Sequence, residues 1–430
     1  MDVSRLEGLS ADRRAQLLDR DAGIDAIADD VADIIATVRA DGDAALRRYA
    51  RAFDDVDQDQ IDITDRTAAA RAAIPDAVAA AIESAAANIR AFHEDQRPTD
   101  RERTVDGRTL ERRFRPIERV GVYVPGGAAA YPSSALMGVI PAVVAGVEEV
   151  VVATPPATDP APATLAAIEV AGADEVYAAG GAQAVAALAY GTDTIDAVEK
   201  IVGPGNRWVT AAKAAVRTDV AIDFLAGPSE VLVVADDTAT PAYVAADLIA
   251  QAEHDPHASA VGVITDETTA HAVADAVDAQ LPDRTRADVA RAALDQPTSG
   301  VFVAPDRDAA AAFAEAYAPE HLAVQTRAPQ EIVDRVPSAG SVFVGDSTPV
   351  AAGDYATGPN HVLPTGGAAR VVGGLGVDTF LRATTVQRLA PEALAALRET
   401  VTTLATVEGL EAHAASVEAR FADGATHHQD

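Results

Sequence analysis

Apolar positions along this chain fall into two textures, and the change comes near residue 120. Upstream, Ile24, Ile27, Val31, Ile34, Ile35 and Val38 recur at intervals of three and four, the spacing of one helical face. Asp41-Gly42-Asp43 punctuates that run, and Ala44-Ala45-Leu46 opens a second helix. Pro75 stands where a third would begin, because proline suits the first helical position. The charged stretch EDQRPTDRERTVDGRTLERR then leads into a different pattern. From Val120, short β-branched runs such as GVYVPGG, EEVVVATPP, DEVYAAGG and DAVEKIVGPGN alternate with alanine-rich segments of helical spacing. The series continues through SEVLVVADD, ASAVGVITD, SGVFVAPD, HLAVQT and GSVFVGD. Continuous apolar runs of this kind are strands buried on both faces, so they predict parallel sheets covered by helices.

The expected fold is therefore α/β, with two Rossmann-like lobes, an N-terminal helical segment and a C-terminal helical arm. The boundaries expected are an N-terminal helical arm over 1–20, a first lobe over 21–119 and 231–372, an inserted second lobe over 120–230, and a C-terminal arm over 373–430. A faint likeness between PAVVAGVEEVVVATPP and PAYVAADLIAQAEHDPHASAVGVITD hints at duplication. After Thr379 no further strand is expected, and 391–421 reads as two helices with EGLEAH in or opening the second.

Composition narrows the class. The chain has 430 residues, 49% of them hydrophobic, enough for a large core in two or three domains. No apolar run approaches the ~18 residues of a membrane span. The opening MDVSRLEGLSADRRAQ lacks a basic region followed by an apolar one, so no secretory leader is expected. With no cysteine, disulfides, thiolate metal sites and cysteine nucleophiles are excluded. The expected location is the cytoplasm. Net charge is −32, and the 34 basic residues include only Lys200 and Lys213 as lysines. An acid-rich surface of this kind suits a high-salt, halophilic interior, where screening shortens charge repulsion. It also repels phosphate backbones, so nucleic acid is not an expected partner.

Histidine is scarce, with nine in the chain, and four of the nine stand beside carboxylates or amides. Gln251 and His254 are three apart on a helix that is expected to end near Pro256, one face of which could hold a metal; a solvated surface pair is the plainer reading. Glu253 and His257 fall on neighbouring faces, and Asp255 is a candidate cap. Glu320-His321 enters a strand and offers two bases of different resting pKa; a solvated loop pair is the alternative. Asp354 and His361 share a rigid Gly- and Pro-rich loop, where a turn aspartate and a capping histidine would also serve. Glu408 and His413, five apart, face differently on one helix unless Gly409 breaks it; an exposed terminal pair is the default. His427 and His428 read as disordered tail. No G-x-G-x-x-G occurs, but Gly180-Gly181-Ala182-Gln183 and Gly203-Pro204-Gly205-Asn206 each join a strand to a helix, as phosphate-binding turns or as ordinary ones. Ser229 has no acid–base partner nearby in sequence, which argues against a serine hydrolase.

Taken in order, GVYVPGG, YPSSALM, GGAQAVAALAYGT, KIVGPGN, DFLAGPSEVLVVAD, QAEH, APEHL, AGDYATGPNHVLPT and EGLEAH resemble the histidinol dehydrogenase family, from about residue 24 to 421. The resemblance implies a four-electron oxidation of L-histidinol to L-histidine, the last step of histidine biosynthesis, with two NAD+ consumed and one Zn2+ per subunit. By the same resemblance Gln251, His254, Asp354 and His413 are zinc ligands, and Glu320 and His321 the catalytic acid–base pair. Ser229, His321 and Glu408 contact substrate alongside those ligands, Glu408 facing its ammonium, and His361 lies in a matched loop that also approaches it. Tyr123, Gln183 and Asn206 are the implied NAD+ contacts. The family works as a homodimer with shared sites, so Glu408 and His413 would serve the partner's site. Its central motif sometimes has Cys where Ser229 stands, which leaves a hydrated aldehyde as the route here. Three other readings stay open: oxidation of a different small alcohol such as a sulfonated diol, a zinc hydrolase needing no NAD+, and a non-catalytic binding protein.

Overall fold

The computed structural model describes residues 1, 3–20, 23–126, 130–158 and 160–422. Two compact units divide it: residues 1–97 with 116–380, and residues 98–115 with 381–430. His427 and His428 lie outside the described residues.

The larger unit contains two parallel sheets. One has five strands, in spatial order Glu175–Ala178, Glu149–Thr154, Arg119–Tyr123, Lys200–Val202 and Ala221–Ile222. The other has six, in the order Val3–Arg5, Gly300–Val303, Ser259–Ile264, Glu230–Ala235, His321–Gln325 and Ser341–Val344. All neighbouring strands in both sheets run parallel. The run Glu230–Ala235 shows why: every residue is buried, and the pleat sends alternate side chains to opposite faces. Val231, Val233 and Ala235 pack with Val244, Leu248 and Val273 on one side. Leu232 and Val234 pack with Phe313, Tyr317 and Leu17 on the other.

The two lobes share a plan. In each, one strand is central, Arg119–Tyr123 or Glu230–Ala235, with the next two strands of the chain on one side and the following two on the other; Val3–Arg5 adds a sixth strand at one edge of the second sheet. Of the two segments whose likeness hinted at duplication, one begins at Pro141 within the helix Pro132–Ala145, and the other begins at the first residue of the helix Pro241–Ala252. The strand added beside the central one follows in each, Glu149–Thr154 or Ser259–Ile264.

Three boundaries differ from expectation. Residues 1–20 are not a free helical arm: Val3–Arg5 is an edge strand paired with Gly300–Val303, and only Ala11–Leu18 is an α-helix, capped by the Ser10 hydroxyl, which accepts from Arg13 N–H. The helical run after residue 24 joins the other lobe from the one expected. Val31, Ile34, Ile35 and Val38 pack with Tyr123, Val151, Val185 and Leu188 of the five-stranded lobe. The seam continues as Ile63 N–H donates to Val176 C=O. The third helix spans Asp76–Glu94 and takes Pro75 as its N-cap rather than its first residue.

The smaller unit, taken by itself, is a three-stranded sheet with two helices, Pro391–Val407 and Glu411–Glu418. Strands do not stop at Thr379, because Leu381–Leu389 is one. Its residues are mostly exposed on both faces, so it carries no apolar alternation to read. The charged stretch before residue 116 is also structured. Arg101–Val105 and Arg108–Pro116 form an antiparallel hairpin through Asp106-Gly107, both at positive φ (50° and 73°), the Asp-Gly turn that suits strand twist. No helix among the described residues is long and apolar enough to cross a membrane.

One buried carboxyl in this framework gives a stability prediction. Asp247, 7% exposed, accepts from the Gln325 amide (2.9 Å), while Gln325 Oε1 has no partner among the described residues. Burial pushes its carboxyl up to about 6, against lowering by Val350 N–H and Gln325. The folded state thus holds this proton more tightly than the unfolded one, whose group titrates near 3.8. The contribution is full below about pH 4 and lost as pH rises through 6. Asp247→Asn should therefore match the wild type at pH 4 in urea denaturation and exceed it at pH 8, by on the order of 2 kcal/mol. A difference independent of pH would contradict this.

Candidate active site

Parallel register brings the chemical residues together. His321 pairs with Val231 across neighbouring strands, so Glu320 arrives beside the start of the strand Glu230–Ala235. The chain reaches Glu320 through Ala318, which ends the helix Arg307–Tyr317 at φ 50°, a conformation unusual without glycine, and then through Pro319. Glu320 Oε2 accepts from the Ser229 hydroxyl and the Glu230 N–H, each at 2.7 Å. His321 Nδ1 donates to the Glu230 carbonyl at 2.9 Å and lies 3.5 Å from Glu320 Oε2. Its Nε2 has no aligned hydrogen-bond partner among the described residues and stands 3.4 Å from Asp354 Oδ1, a contact of charge rather than of alignment.

Both side chains are buried, and their proton affinities follow from that. Burial pushes Glu320 up to about 7, although His321, the Ser229 hydroxyl and Glu230 N–H all favour its anion. For His321, burial works against the charged ring, but Glu320 and Asp354 outweigh it and raise the imidazole to about 9. Asp354 is opposed by burial yet held below the usual carboxylate range by His321, His361 and His254. A carboxyl and an imidazole tuned in this way can exchange protons with a substrate near neutrality.

Around them stand the other expected residues of the larger unit. Asp354 sits in the short helix Val350–Tyr355, and its carbonyl accepts from His361 Nδ1 at 2.8 Å. His361 Nε2 is 3.5 Å from the Ser134 hydroxyl of the five-stranded lobe. Gln251 occupies the last turn of Pro241–Ala252, 3% exposed, with an amide nitrogen that lacks a partner among the described residues. His254 lies beyond that helix, which stops at Ala252 rather than near Pro256, and its Nδ1 donates to Ala250 C=O at 3.0 Å. That bond leaves Nε2 free of the backbone. Among the described residues no three His, Asp or Glu side chains form a metal-holding group. Glu408 and His413 belong to the smaller unit and are exposed there. Glu408 ends the helix Pro391–Val407, and Gly409 at φ 73° breaks the chain before the next helix.

The nucleotide candidates gather at the carboxyl ends of the five-stranded sheet. Its strand order reverses between Arg119–Tyr123 and Lys200–Val202, and such a switch point opens a crevice at that edge. Tyr123 ends one of these strands; its buried hydroxyl accepts from Gly181 N–H (3.1 Å), and burial raises it to about 12. Gln183 is buried in the helix Gly181–Tyr190. Asn206 follows the other strand and caps the helix Arg207–Val216, its Oδ1 accepting from Trp208 and Val209 N–H groups.

Sequence reasoning missed the supports beneath these residues. Glu230 is 1% exposed; a charge at the head of the apolar run VLVVA was its one signal. Lys213, marked only by the rarity of lysine, forms a buried ion pair with Asp223 and donates to Gly203 C=O (3.1 Å). Asp223 in turn accepts from Gly203 N–H (2.8 Å), so the pair clamps the Gly203–Asn206 turn from both sides.

Fold and site together define an α/β enzyme that handles a small molecule with a buried acid–imidazole pair. The sequence profile described as histidinol dehydrogenase matches residues 18–421. The chain is 65% identical to the histidinol dehydrogenase of Halobacterium salinarum over 424 residues, covering 98% of this chain and all of that protein. It is 62% identical to that of Haloarcula marismortui over 421 residues, with 98% and 100% coverage. The crystal structure of histidinol dehydrogenase from Elizabethkingia anophelis superposes with a TM-score of 0.91 at 36% identity, covering 98% of this chain and 97% of that one. The chain belongs to the histidinol dehydrogenase family and is an oxidoreductase.

The clamp behind the Gly203–Asn206 turn yields a second prediction. Lys213→Met leaves Asp223 as an uncompensated buried charge, which should lower unfolding free energy by about 3–5 kcal/mol, read by urea denaturation at neutral pH. A loss below about 1 kcal/mol, the size of an exposed pair, would show the pair to be solvated.

Proposed function

We propose that this chain oxidises L-histidinol to L-histidine through L-histidinal, removing four electrons with two NAD+, as the last step of histidine biosynthesis. The observation that carries the reading is the buried Glu320–His321 pair, set against Asp354 where the loop holding His361 meets Ser134. His321 takes the hydroxyl proton as hydride leaves the carbinol carbon for the first NAD+, giving the aldehyde. Glu320, held by Ser229 and Glu230, removes a proton from the water that adds to that aldehyde. A second hydride then passes from the hydrate to the second NAD+, leaving the acid. The switch point between Arg119–Tyr123 and Lys200–Val202, beside which Tyr123, Gln183 and Asn206 stand, supports the nucleotide reading.

The nitrogen and oxygen donors fit a zinc ion. Gln251, 3% exposed, would offer its amide oxygen, and His254 keeps Nε2 free of its backbone bond. With Asp354, and with the partner subunit's His413, they would complete four ligands, and the ion would orient and polarise the bound substrate. Asp354 so engaged would pull less on His321, letting the ring act as a base. Ser229 and the partner subunit's Glu408 would hold substrate, the latter by its ammonium, which makes the working form a homodimer. Net charge of −32 with two lysines supports a salt-rich cytoplasm as the place of work.

Zinc-loaded protein at high salt, given L-histidinol, should form two NADH per histidine; chelator should abolish this and zinc restore it. No NADH from a folded, zinc-loaded sample would remove histidinol as the substrate. Glu320→Gln should slow oxidation of histidinal by about 100-fold and that of histidinol by much less. Equal loss in the two half-reactions, measured separately, would count against the assigned role of Glu320.

A further inference from the structure

Glu230 serves Glu320 and His321 through its backbone: the N–H holds one and the carbonyl holds the other. Whatever fixes the peptide units of Glu230 therefore fixes both. Its side chain is fully buried, and Oε1 accepts from Arg20 Nε and from Gly366 N–H, each at 2.7 Å. Arg20 is just as constrained. Nη2 donates to Tyr317 C=O at 2.7 Å, Nη1 to Leu17 C=O at 3.3 Å, and the guanidinium lies 3.6 Å from the centre of the Tyr317 ring. The planar fork and the stacked face leave this arginine one position, which a lysine could not reproduce.

We infer that Arg20, through its buried ion pair with Glu230, is a positioning residue for the Glu320–His321 pair. Together Arg20 and Glu230 join the segment after the helix Ala11–Leu18, the end of Arg307–Tyr317, the loop at Gly366 (through Glu230) and the head of the strand Glu230–Ala235. That same loop is tied to the segment before Ser229, because Thr365 Oγ1 accepts from Gly227 N–H at 2.6 Å. The strand head is thereby locked against rotation, and rotation there would move both proton-transfer groups together. Arg20 itself touches neither of them in the described hydrogen bonds, so its effect passes through Glu230.

The inference rests on the proposed oxidation, and the test keeps the two apart. Arg20→Met, Arg20→Lys and the double variant Arg20→Met/Glu230→Gln are compared with wild type as zinc-loaded full-length protein at high salt. Thermal melting, zinc content and kinetics with histidinol and with histidinal are measured for each. The double variant buries no lone charge, so it carries the test if Arg20→Met does not fold; Arg20→Lys, which keeps the charge, carries it if neither does. Positioning predicts a fall in kcat of roughly ten- to a hundredfold in both half-reactions in the double variant, at unchanged zinc content. KM should stay within about threefold, and Arg20→Lys should recover part of the rate. A double variant with kcat within about twofold of wild type in both half-reactions overturns the inference and leaves Arg20 a stability residue. So does a change confined to KM, or an Arg20→Lys variant that folds with full kcat. Wild-type protein that forms no NADH from histidinol overturns the proposed reaction and this inference with it.

Discussion

A carboxyl and an imidazole with almost no exposure stand side by side at the mouths of two neighbouring strands, and the surrounding segments are arranged to keep both satisfied. Burying an isolated carboxylate is so unfavourable that the group normally takes up a proton. Here the Ser229 hydroxyl, the Glu230 N–H and the His321 ring hold Glu320 within reach of ionisation near neutrality. Those donors work only if the strand heads keep register, and register is held by the buried apolar runs that follow them in the same strands, 231–235 and 322–324. The hydrophobic core of the six-stranded lobe is thus what sets the proton affinity of the site.

The two lobes share the order of five strands, apart from the added edge strand Val3–Arg5, but place their polar groups at opposite strand ends. In the five-stranded lobe Tyr123 and the Gly203–Asn206 turn follow the carboxyl ends of their strands, where open α/β sheets usually bind ligands. In the six-stranded lobe Glu320, His321 and Glu230 stand at the amino ends. That asymmetry gives the lobes complementary parts: one offers a turn at a helix start, the other a pair of bases. The loop carrying Asp354, Asn360 and His361 joins them. Asn360 donates to Met137 C=O (2.7 Å), His361 approaches Ser134, and Asp354 approaches His321.

Much of this was legible in the sequence, for reasons that separate one element from another. Strands buried on both faces announce themselves as apolar runs, and every run named from Val120 onward proved to hold a strand. Glu320-His321 and Asp354-His361 stood out because histidine is rare. Other features left weaker traces. The hairpin from Arg101 to Pro116 is built of charged residues, so only its Asp-Gly turn betrayed it. The helix Ala28–Asp41 showed which residues it buries but not against which lobe, because an apolar face is not addressed to a partner. Arg20 and Glu230 left least of all. They are more than two hundred residues apart, and nothing local marks an arginine that will be buried.

Charge distribution completes the argument. Most ion pairs of the described residues join arginine to an acid at exposed positions, as in Arg71–Glu83 and Arg48–Asp41. Such pairs are worth little in dilute buffer, and concentrated salt shortens the screening length to about 3 Å at 1 M. Salt penetrates a buried pair far less. Arg20–Glu230 and Lys213–Asp223 are both enclosed, and each stands directly behind functional backbone, one under the proton-transfer pair and the other under the Gly203–Asn206 turn. The electrostatics that position chemistry are thus kept inside, where ionic strength cannot loosen them, while the acidic exterior is free to respond to the solvent.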